Sequence, residues 1–142
     1  LPALVGQWLV LTVPPHDLED KTRRLYGALE SSDFSSGEAT ARATAGLAER
    51  AVRDEDLVNG FSRAARAVFP GLSATWAEIE QRCQRRFHLS GAGPALFALA
   101  ADRPDAKRQA ACLTELGLPA YVVRTVKHAR ASVKFSNGEP VP

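Results

Sequence analysis

Residues 87–101 read FHLSGAGPALFALAA, in which a glycine-rich turn separates two short apolar runs. The runs FHLS (87–90) and ALFALAA (95–101) have the length and apolar character of β-strands. Between them, glycine and proline interrupt any regular structure. We therefore predict two consecutive strands joined by this turn, and the fold is worked out from that pair.

Two further strands and one helix flank the pair. Residues 7–13 form an apolar run that ends at Pro14 and Pro15, and proline closes strands because it cannot donate a ladder hydrogen bond. AYVVRTV (120–126) is rich in β-branched and aromatic residues, which strands favour. Between the glycine turn and this run, a helix is predicted from Pro104 to Leu116, with Gly117 as its C-terminal stop.

Four helices are predicted between the first strand and the glycine turn. Each shows apolar residues at helical spacing or a high alanine content. The four are a helix capped by Asp17, an alanine-rich helix reaching Val52, a helix from Leu57 to Phe69, and a helix that Ser73 caps and that ends near Arg82, Arg85 and Arg86.

This order of elements predicts the fold class. A β-α-β-β-α-β order is typical of the ferredoxin-like split β-α-β sandwich, an α+β fold with one antiparallel sheet covered by helices. Here extra helices are inserted in the first crossover. We expect residues 1–134 to form one domain and residues 135–142 to form a flexible tail.

Composition excludes several classes of function. The 142 residues carry 18 basic and 16 acidic side chains, far from the basic excess that nucleic-acid binding requires, and the opening apolar run is too short to cross a membrane. We therefore expect neither nucleic acid nor membrane as a partner.

Cys83 and Cys112 are widely spaced, so we expect two small buried hydrophobes in a cytoplasmic protein, with a disulfide as the alternative. The chain contains no methionine, so we expect it to be part of a longer protein.

The glycine turn has two possible roles. Its five residues match neither the P-loop nor the dinucleotide-binding fingerprint, because no Gly-Lys-Ser/Thr follows and Leu96 takes the place of the third glycine. Glycines do let backbone N–H groups approach an anion without obstruction by a Cβ atom. The alternative is a strand connection that only needs unusual backbone dihedrals.

No metal site or catalytic triad is predicted. The carboxylates of residues 54–56 precede a helix, where solvated charges that complement the helix dipole are common. His16, His88 and His128 lie in separate segments without metal-ligand spacing. Asn59 is the other polar residue of note, because a buried amide must find hydrogen-bond partners.

Five stretches, in chain order, carry a family resemblance: WLVLTVPP, KTRRLYGAL, DFSSGEAT, LVNGFSRAARAVFPGL and LSGAGPALFAL. The second stretch, KTRRLYGAL, resembles a Ser/Thr-Thr-Lys-x-x-Tyr motif, the fourth an Asn-Asp-Phe-Glu motif, and the fifth a Ser-Gly-Ser-Gly-Pro-Thr motif. Taken in this order, they resemble the C-terminal half of the GHMP small-molecule kinases, and within that family most closely the kinases of non-mevalonate isoprenoid biosynthesis.

The resemblance implies a phosphate-binding role for the turn and a site shared with a missing half. It implies ATP and Mg²⁺ as cofactors, both bound mainly by an N-terminal GHMP domain that also supplies the catalytic aspartate and lysine. No catalytic residue and no metal ligand is therefore assigned to this chain. The residues that it places against the nucleotide phosphates are Ser90, Gly91, Ala92, Gly93 and Pro94, and those near the small-molecule substrate are Thr22 and Asn59.

The chain also departs from the family motifs. Ala92 and Ala95 replace hydroxyl residues, Gly60 replaces an acidic residue, and Ser62 replaces a glutamate. The turn would then meet phosphate through its backbone, and a side chain placed at Gly93 is expected to crowd the phosphates. We expect Asn59 at the buried edge of the third helix, bonded to backbone near the first strand or near Thr22.

Two classes of function follow from the sequence. The first is the C-terminal domain of an ATP-dependent kinase, inactive as an isolated domain, with homoserine or mevalonate-type substrates as alternatives within the family. The second is a free-standing ferredoxin-like module that binds a ligand or regulates a partner, which the fold alone would permit.

Overall fold

The computed structural model describes residues 5–48 and 52–126. The predicted tail at 135–142 and His128 lie outside these residues. Of the helices in the described part of the chain, none combines the length and apolarity that a membrane span needs.

A four-stranded antiparallel sheet forms one layer of the fold. Its strands are β1 (Trp8–Thr12), β2 (His88–Leu89), β3 (Leu96–Ala100) and β4 (Ala120–Arg124). The spatial order is β2-β3-β1-β4, with β1 paired to β3 and β4 and β2 paired to β3. This is the order of a ferredoxin-like sheet, so the predicted α+β class is confirmed by the strand pairing and by the structural neighbours described below.

In the described residues, four helices lie in the first crossover and one in the second, which are the number and order that the sequence predicted. Two short 3₁₀ turns, at Ser31–Asp33 and Asp54–Asp56, lie among the first four. The helices are α1 (Lys21–Gly27), α2 (Glu38–Ala48), α3 (Ser62–Val68), α4 (Leu72–Cys83) and α5 (Arg103–Glu115).

Several predicted helix starts were wrong. α1 begins after Asp20 rather than Asp17, and α4 begins after Gly71 rather than Ser73; neither flanking residue makes a side-chain cap. α3 begins at Ser62 instead of Leu57, because residues 57–60 form a loop after a 3₁₀ turn. Val52, the predicted end of the second helix, is not helical.

The core lies between the sheet and the helices. Alternate residues of β3 are buried, as expected for a strand with one covered face. The largest side chains in the core come from both layers: Phe69, Phe87, Leu25, Leu72, Ile79, Leu96, Leu113 and Val10.

The two cysteines differ from their prediction. Cys83, the last residue of α4, forms a disulfide with Cys112 of α5, and their Cα atoms lie 5.8 Å apart. Both residues are only partly buried. They therefore join two helices covalently instead of acting as separate buried hydrophobes, and a cytoplasmic location stays a prediction.

Asp105 anchors α5 to the end of β3. Its side chain is buried and accepts hydrogen bonds from the backbone N–H of Ala101 and from Gln109, at 2.9 and 3.1 Å. Arg85 and Arg108 lie 3.2 and 3.1 Å from its carboxylate oxygens. Burial by itself would raise the pKa of Asp105, but these hydrogen bonds and charges outweigh it and hold the pKa below the usual 3.8.

We predict that this carboxylate makes stability fall in acid. Because its pKa is lower in the folded state, its contribution is fully present above the unfolded-state value near 3.8 and is lost as pH falls through the folded-state pKa. Urea unfolding from pH 6 to pH 2 should show a steeper acid loss for the parent than for Asp105→Asn. Parallel curves for the two proteins would contradict this role.

Candidate functional site

The glycine-rich turn is a tight connection between β2 and β3. The N–H of Ser90 donates to the carbonyl of Ala95 at 2.8 Å, and the N–H of Gly93 donates to the carbonyl of Ser90 at 3.0 Å. Gly91 and Gly93 have φ angles of +57° and +72°, which side-chain-bearing residues rarely adopt. The predicted need for unusual dihedrals at Gly93 is therefore confirmed.

Asn59 holds this turn through its backbone carbonyls. Its Nδ2 donates to the carbonyl oxygens of Leu89 at 3.0 Å and Gly91 at 2.7 Å, while its Oδ1 accepts from the N–H of Phe61 at 2.9 Å. Asn59 lies three residues before α3 and is half-buried. The expected partners, near the first strand or Thr22, were wrong, because the amide bonds to the glycine turn instead.

Lys21, which the sequence analysis did not single out, contacts the same turn. Its Nζ donates to the carbonyl of Gly93 at 3.2 Å. The two residues are 72 positions apart, so no local pattern could have paired them. Thr22 is the next residue of α1 and is exposed. Within the described residues, no hydrogen bond joins the Thr22 side chain to the turn.

The turn keeps two backbone donors unused. In the described part of the chain, the N–H groups of Gly91 and Ala92 donate to no protein acceptor, whereas the carbonyls of Gly91 and Gly93 are engaged by side chains. Adjacent free N–H groups on a glycine turn suit a phosphate oxygen. The donor set of this chain therefore fits a bound phosphate group, with Lys21 as a cation at the turn.

The two glycines differ in what surrounds them. A Cβ atom built on Gly93 would lie 2.9 Å from Cδ1 of Leu89 and 3.6 Å from Cε2 of Phe69, both of them core residues. A Cβ atom built on Gly91 would have no neighbour within 4 Å. A side chain at Gly93 would therefore meet core residues, whereas the Cβ side of Gly91 is open. The crowding of phosphates expected for a side chain at Gly93 stays a prediction.

An apolar cleft of 440 Å³ lies beside the turn. Its lining includes Asn59, which bonds to the turn, and Leu89, which precedes the turn. Tyr26 and Phe61 contact each other edge-to-face on its wall, with ring centroids 5.2 Å apart. Asp33 also lines the cleft. Two hydrogen bonds lower the pKa of Asp33 below its usual value: the larger effect comes from the Arg63 side chain and the smaller from the backbone N–H of Glu30.

Gly60, at the position where the family motif has an acidic residue, is explained by its neighbours. A Cβ atom at Gly60 would lie 2.9 Å from the backbone carbonyl oxygen of Asp33. The close approach of these two backbone segments leaves no room for a side chain. The departure from the motif therefore goes with the local packing of this chain.

The other charged candidates are engaged in hydrogen bonds or ion pairs. Asp54 bonds to Nε2 of His88 at 2.8 Å, and the buried Asp56 pairs with Arg42 and Arg53 at 3.1 and 3.0 Å. Hydrogen bonds from Arg53 and then Arg42 outweigh burial and lower the pKa of Asp56. Among the described residues, no three His, Cys, Asp or Glu side chains converge as metal ligands would.

Comparison with known proteins gives a consistent result. The 4-diphosphocytidyl-2-C-methyl-D-erythritol kinase of Dehalococcoides mccartyi is 34% identical over 128 residues, which are 89% of this chain and 45% of that protein. The kinase of the same name from Gloeobacter violaceus is 33% identical over 132 residues, 88% of this chain and 43% of that protein. The chain matches the C-terminal part of GHMP-family kinases.

Solved structures of GHMP kinases share the fold. A crystal structure of 4-(cytidine 5'-diphospho)-2C-methyl-D-erythritol kinase superposes with a TM-score of 0.67 at 25% identity, over 89% of this chain and 45% of that one. Homoserine kinase from Cytophaga hutchinsonii gives a TM-score of 0.58 at 14% identity, over 89% and 43%. No family model matches the chain. The chain spans about half the length of the GHMP kinases it matches.

Proposed function

We propose that this chain is the C-terminal domain of an ATP-dependent kinase that phosphorylates the 2-hydroxyl of 4-diphosphocytidyl-2-C-methyl-D-erythritol in non-mevalonate isoprenoid biosynthesis. Its partner within the full-length protein is an N-terminal GHMP domain. That domain holds most of the ATP and Mg²⁺ contacts and the catalytic groups. The proposed location of the kinase is the cytoplasm, and neither nucleic acid nor a membrane is a proposed partner.

One observation supports a phosphate-binding role for this domain above the others. In the described part of the chain, the turn at residues 90–94 presents the free N–H groups of Gly91 and Ala92, while the carbonyls of Gly91 and Gly93 accept hydrogen bonds from Asn59 and Lys21. A carbonyl oxygen facing a phosphate would repel it, so tying the carbonyls back favours anion binding. Ser90 and Pro94 are the first and last residues of the turn, and both are proposed to lie beside the nucleotide phosphates.

The contribution of this domain to the reaction is positional. ATP supplies the phosphoryl group, and phosphoryl transfer depends largely on alignment and on stabilisation of charge. The free N–H groups of the turn would fix the phosphates from one side of the cleft between the domains. Because Lys21 carries a positive charge 3.2 Å from the carbonyl of Gly93, it would reduce the net negative charge there. Thr22 and Asn59 are proposed to lie near the substrate end.

Two alternatives are less well supported. A homoserine or mevalonate-type substrate is compatible with the fold, but the solved homoserine kinase is 14% identical to this chain, against 25% for the solved diphosphocytidyl kinase. A free-standing binding module would not account for a match to relatives more than twice as long as the matched segment.

The proposal is tested on the full-length protein that contains this chain. Purified protein is assayed for ATP-dependent phosphorylation of the diphosphocytidyl substrate, of homoserine and of mevalonate, with the isolated chain as the matched control. We expect turnover with the first substrate only, and none from the isolated chain. Turnover by the isolated chain would refute the division into half-sites, and turnover only with homoserine or mevalonate would refute the proposed substrate.

A further inference from the structure

We infer that Asn59 is a positioning residue for the glycine turn and does not itself contact substrate. This inference rests on the proposed function and deepens it: Asn59 lies near the substrate end of the site but acts through the turn. The three hydrogen bonds of its side chain all go to the protein backbone. Nδ2 donates to the carbonyls of Leu89 and Gly91, and Oδ1 accepts from the N–H of Phe61.

The position of these bonds explains what Asn59 achieves. The carbonyl of Leu89 belongs to the last residue of β2, and the carbonyl of Gly91 belongs to the turn itself. One amide group therefore spans the junction between strand and turn. The carbonyl of Gly91 and the N–H of Ala92 belong to one planar peptide group. The hydrogen bond from Nδ2 of Asn59 to the Gly91 oxygen, at 2.7 Å, therefore fixes the direction of the Ala92 N–H as well.

The same argument about a rigid peptide plane applies to the other free donor of the turn. The N–H of Gly91 belongs to the peptide group of the Ser90 carbonyl, and that oxygen accepts from the N–H of Gly93 at 3.0 Å. Asn59 orients the second donor and the turn's own hydrogen bond orients the first. Without Asn59, the Gly91–Ala92 peptide plane could rotate, since glycine offers little steric resistance. A rotated plane would present a carbonyl oxygen to the phosphate.

The best test uses an isosteric change, Asn59→Asp. The aspartate keeps an acceptor for the N–H of Phe61 but loses both donors, and it faces the carbonyl oxygens of Leu89 and Gly91 with a negative charge. We expect weaker nucleotide binding on the order of 10- to 100-fold, measured directly by calorimetric titration of the full-length protein with ATP. The KM for ATP should rise while the KM for the alcohol substrate stays near the parent value.

The chain offers a matched control at the opposite end of the sheet. Nε2 of Gln7 donates to the carbonyls of Trp8 and Ala100 at 2.9 and 2.7 Å, so Gln7→Glu makes the same chemical change without touching the turn. We expect Gln7→Glu to keep the parent's affinity for ATP. If Asn59→Asp does not fold, Asn59→Ala, which removes the donors without adding charge, is measured at a temperature where circular dichroism shows it folded.

The outcomes separate this inference from the proposed function. If the parent binds ATP and both Asn59 variants bind it equally well, the positioning role is wrong while the kinase proposal stands. If the KM for the alcohol substrate rises instead of the KM for ATP, Asn59 contacts substrate and the inference is also wrong. A parent protein that binds no ATP and transfers no phosphate overturns both.

Discussion

Gly93→Val should destabilise the chain more than any other change proposed above. The parent residue has a φ of +72°, so a β-branched residue there adds strain of about 1 to 3 kcal/mol. Its Cβ atom would also lie 2.9 Å from Leu89 and 3.6 Å from Phe69, and overpacking a core of this kind costs about 1 to 3 kcal/mol more. The free energy of unfolding in urea measures the loss.

Gly91→Val is the control that separates the two contributions. Gly91 also has a positive φ, at +57°, but a Cβ atom there meets no neighbour. It should therefore show the strain alone. For ATP binding we expect the opposite order of the two variants. In the full-length protein, at a temperature where both variants are folded, Gly91→Val obstructs the open side of the turn and should weaken ATP binding more than Gly93→Val does. Equal stability losses for the two variants would show that the core contact at Gly93 is unimportant.

Reduction of the Cys83–Cys112 bond should produce the second-largest loss. The two residues are separated by 29 positions, and closing a loop of that size stabilises a protein by about 3 to 4 kcal/mol in the chain-entropy model. Urea unfolding with and without a thiol reductant should differ by that amount in the parent. A Cys83→Ser, Cys112→Ser double variant should match the reduced parent and should not respond to reductant.

This experiment also decides between the two interpretations of the cysteines. Alkylation under denaturing conditions, with no reductant, should label no thiol if the bond is present and two thiols if it is absent. Two labelled thiols, together with no effect of reductant, would return Cys83 and Cys112 to the role that their spacing first suggested. The bond would be unusual in a reducing cytoplasm, so its presence would argue against the proposed location.

Local patterns were sufficient for most of the fold. The short apolar run ALFALAA predicted a strand, and Leu96, Ala98 and Ala100 within β3 are buried. Pro14 and Pro15 correctly marked the end of β1. The start of the third helix was predicted wrongly, because Leu57 and Phe61 share a helical spacing with α3 although residues 57–60 form a loop. Spacing alone cannot distinguish a helix from a loop that packs on the same core.

The candidate site could be predicted only in part. The turn was evident from its glycines, but its supports come from distant segments: Asn59 bonds across 30 and 32 positions and Lys21 across 72. Such pairs depend on how the layers pack, which a single sequence does not encode locally. The core contacts of a Cβ atom at Gly93, with Leu89 and Phe69, could not be predicted for the same reason.

The strand order has a consequence for how the chain folds. β1 lies at the centre of the sheet, and Trp8 is paired with both Ala100 and Arg124. Both pairings therefore join residues more than 90 positions apart, and contacts of such long range make folding slow. During synthesis, β1 has no sheet partner until β3 has emerged from the ribosome, and it lacks its second partner until β4 follows. Until then its unpaired backbone N–H and C=O groups are open to pairing with other chains, so we expect the nascent domain to need chaperones most before its last strand arrives.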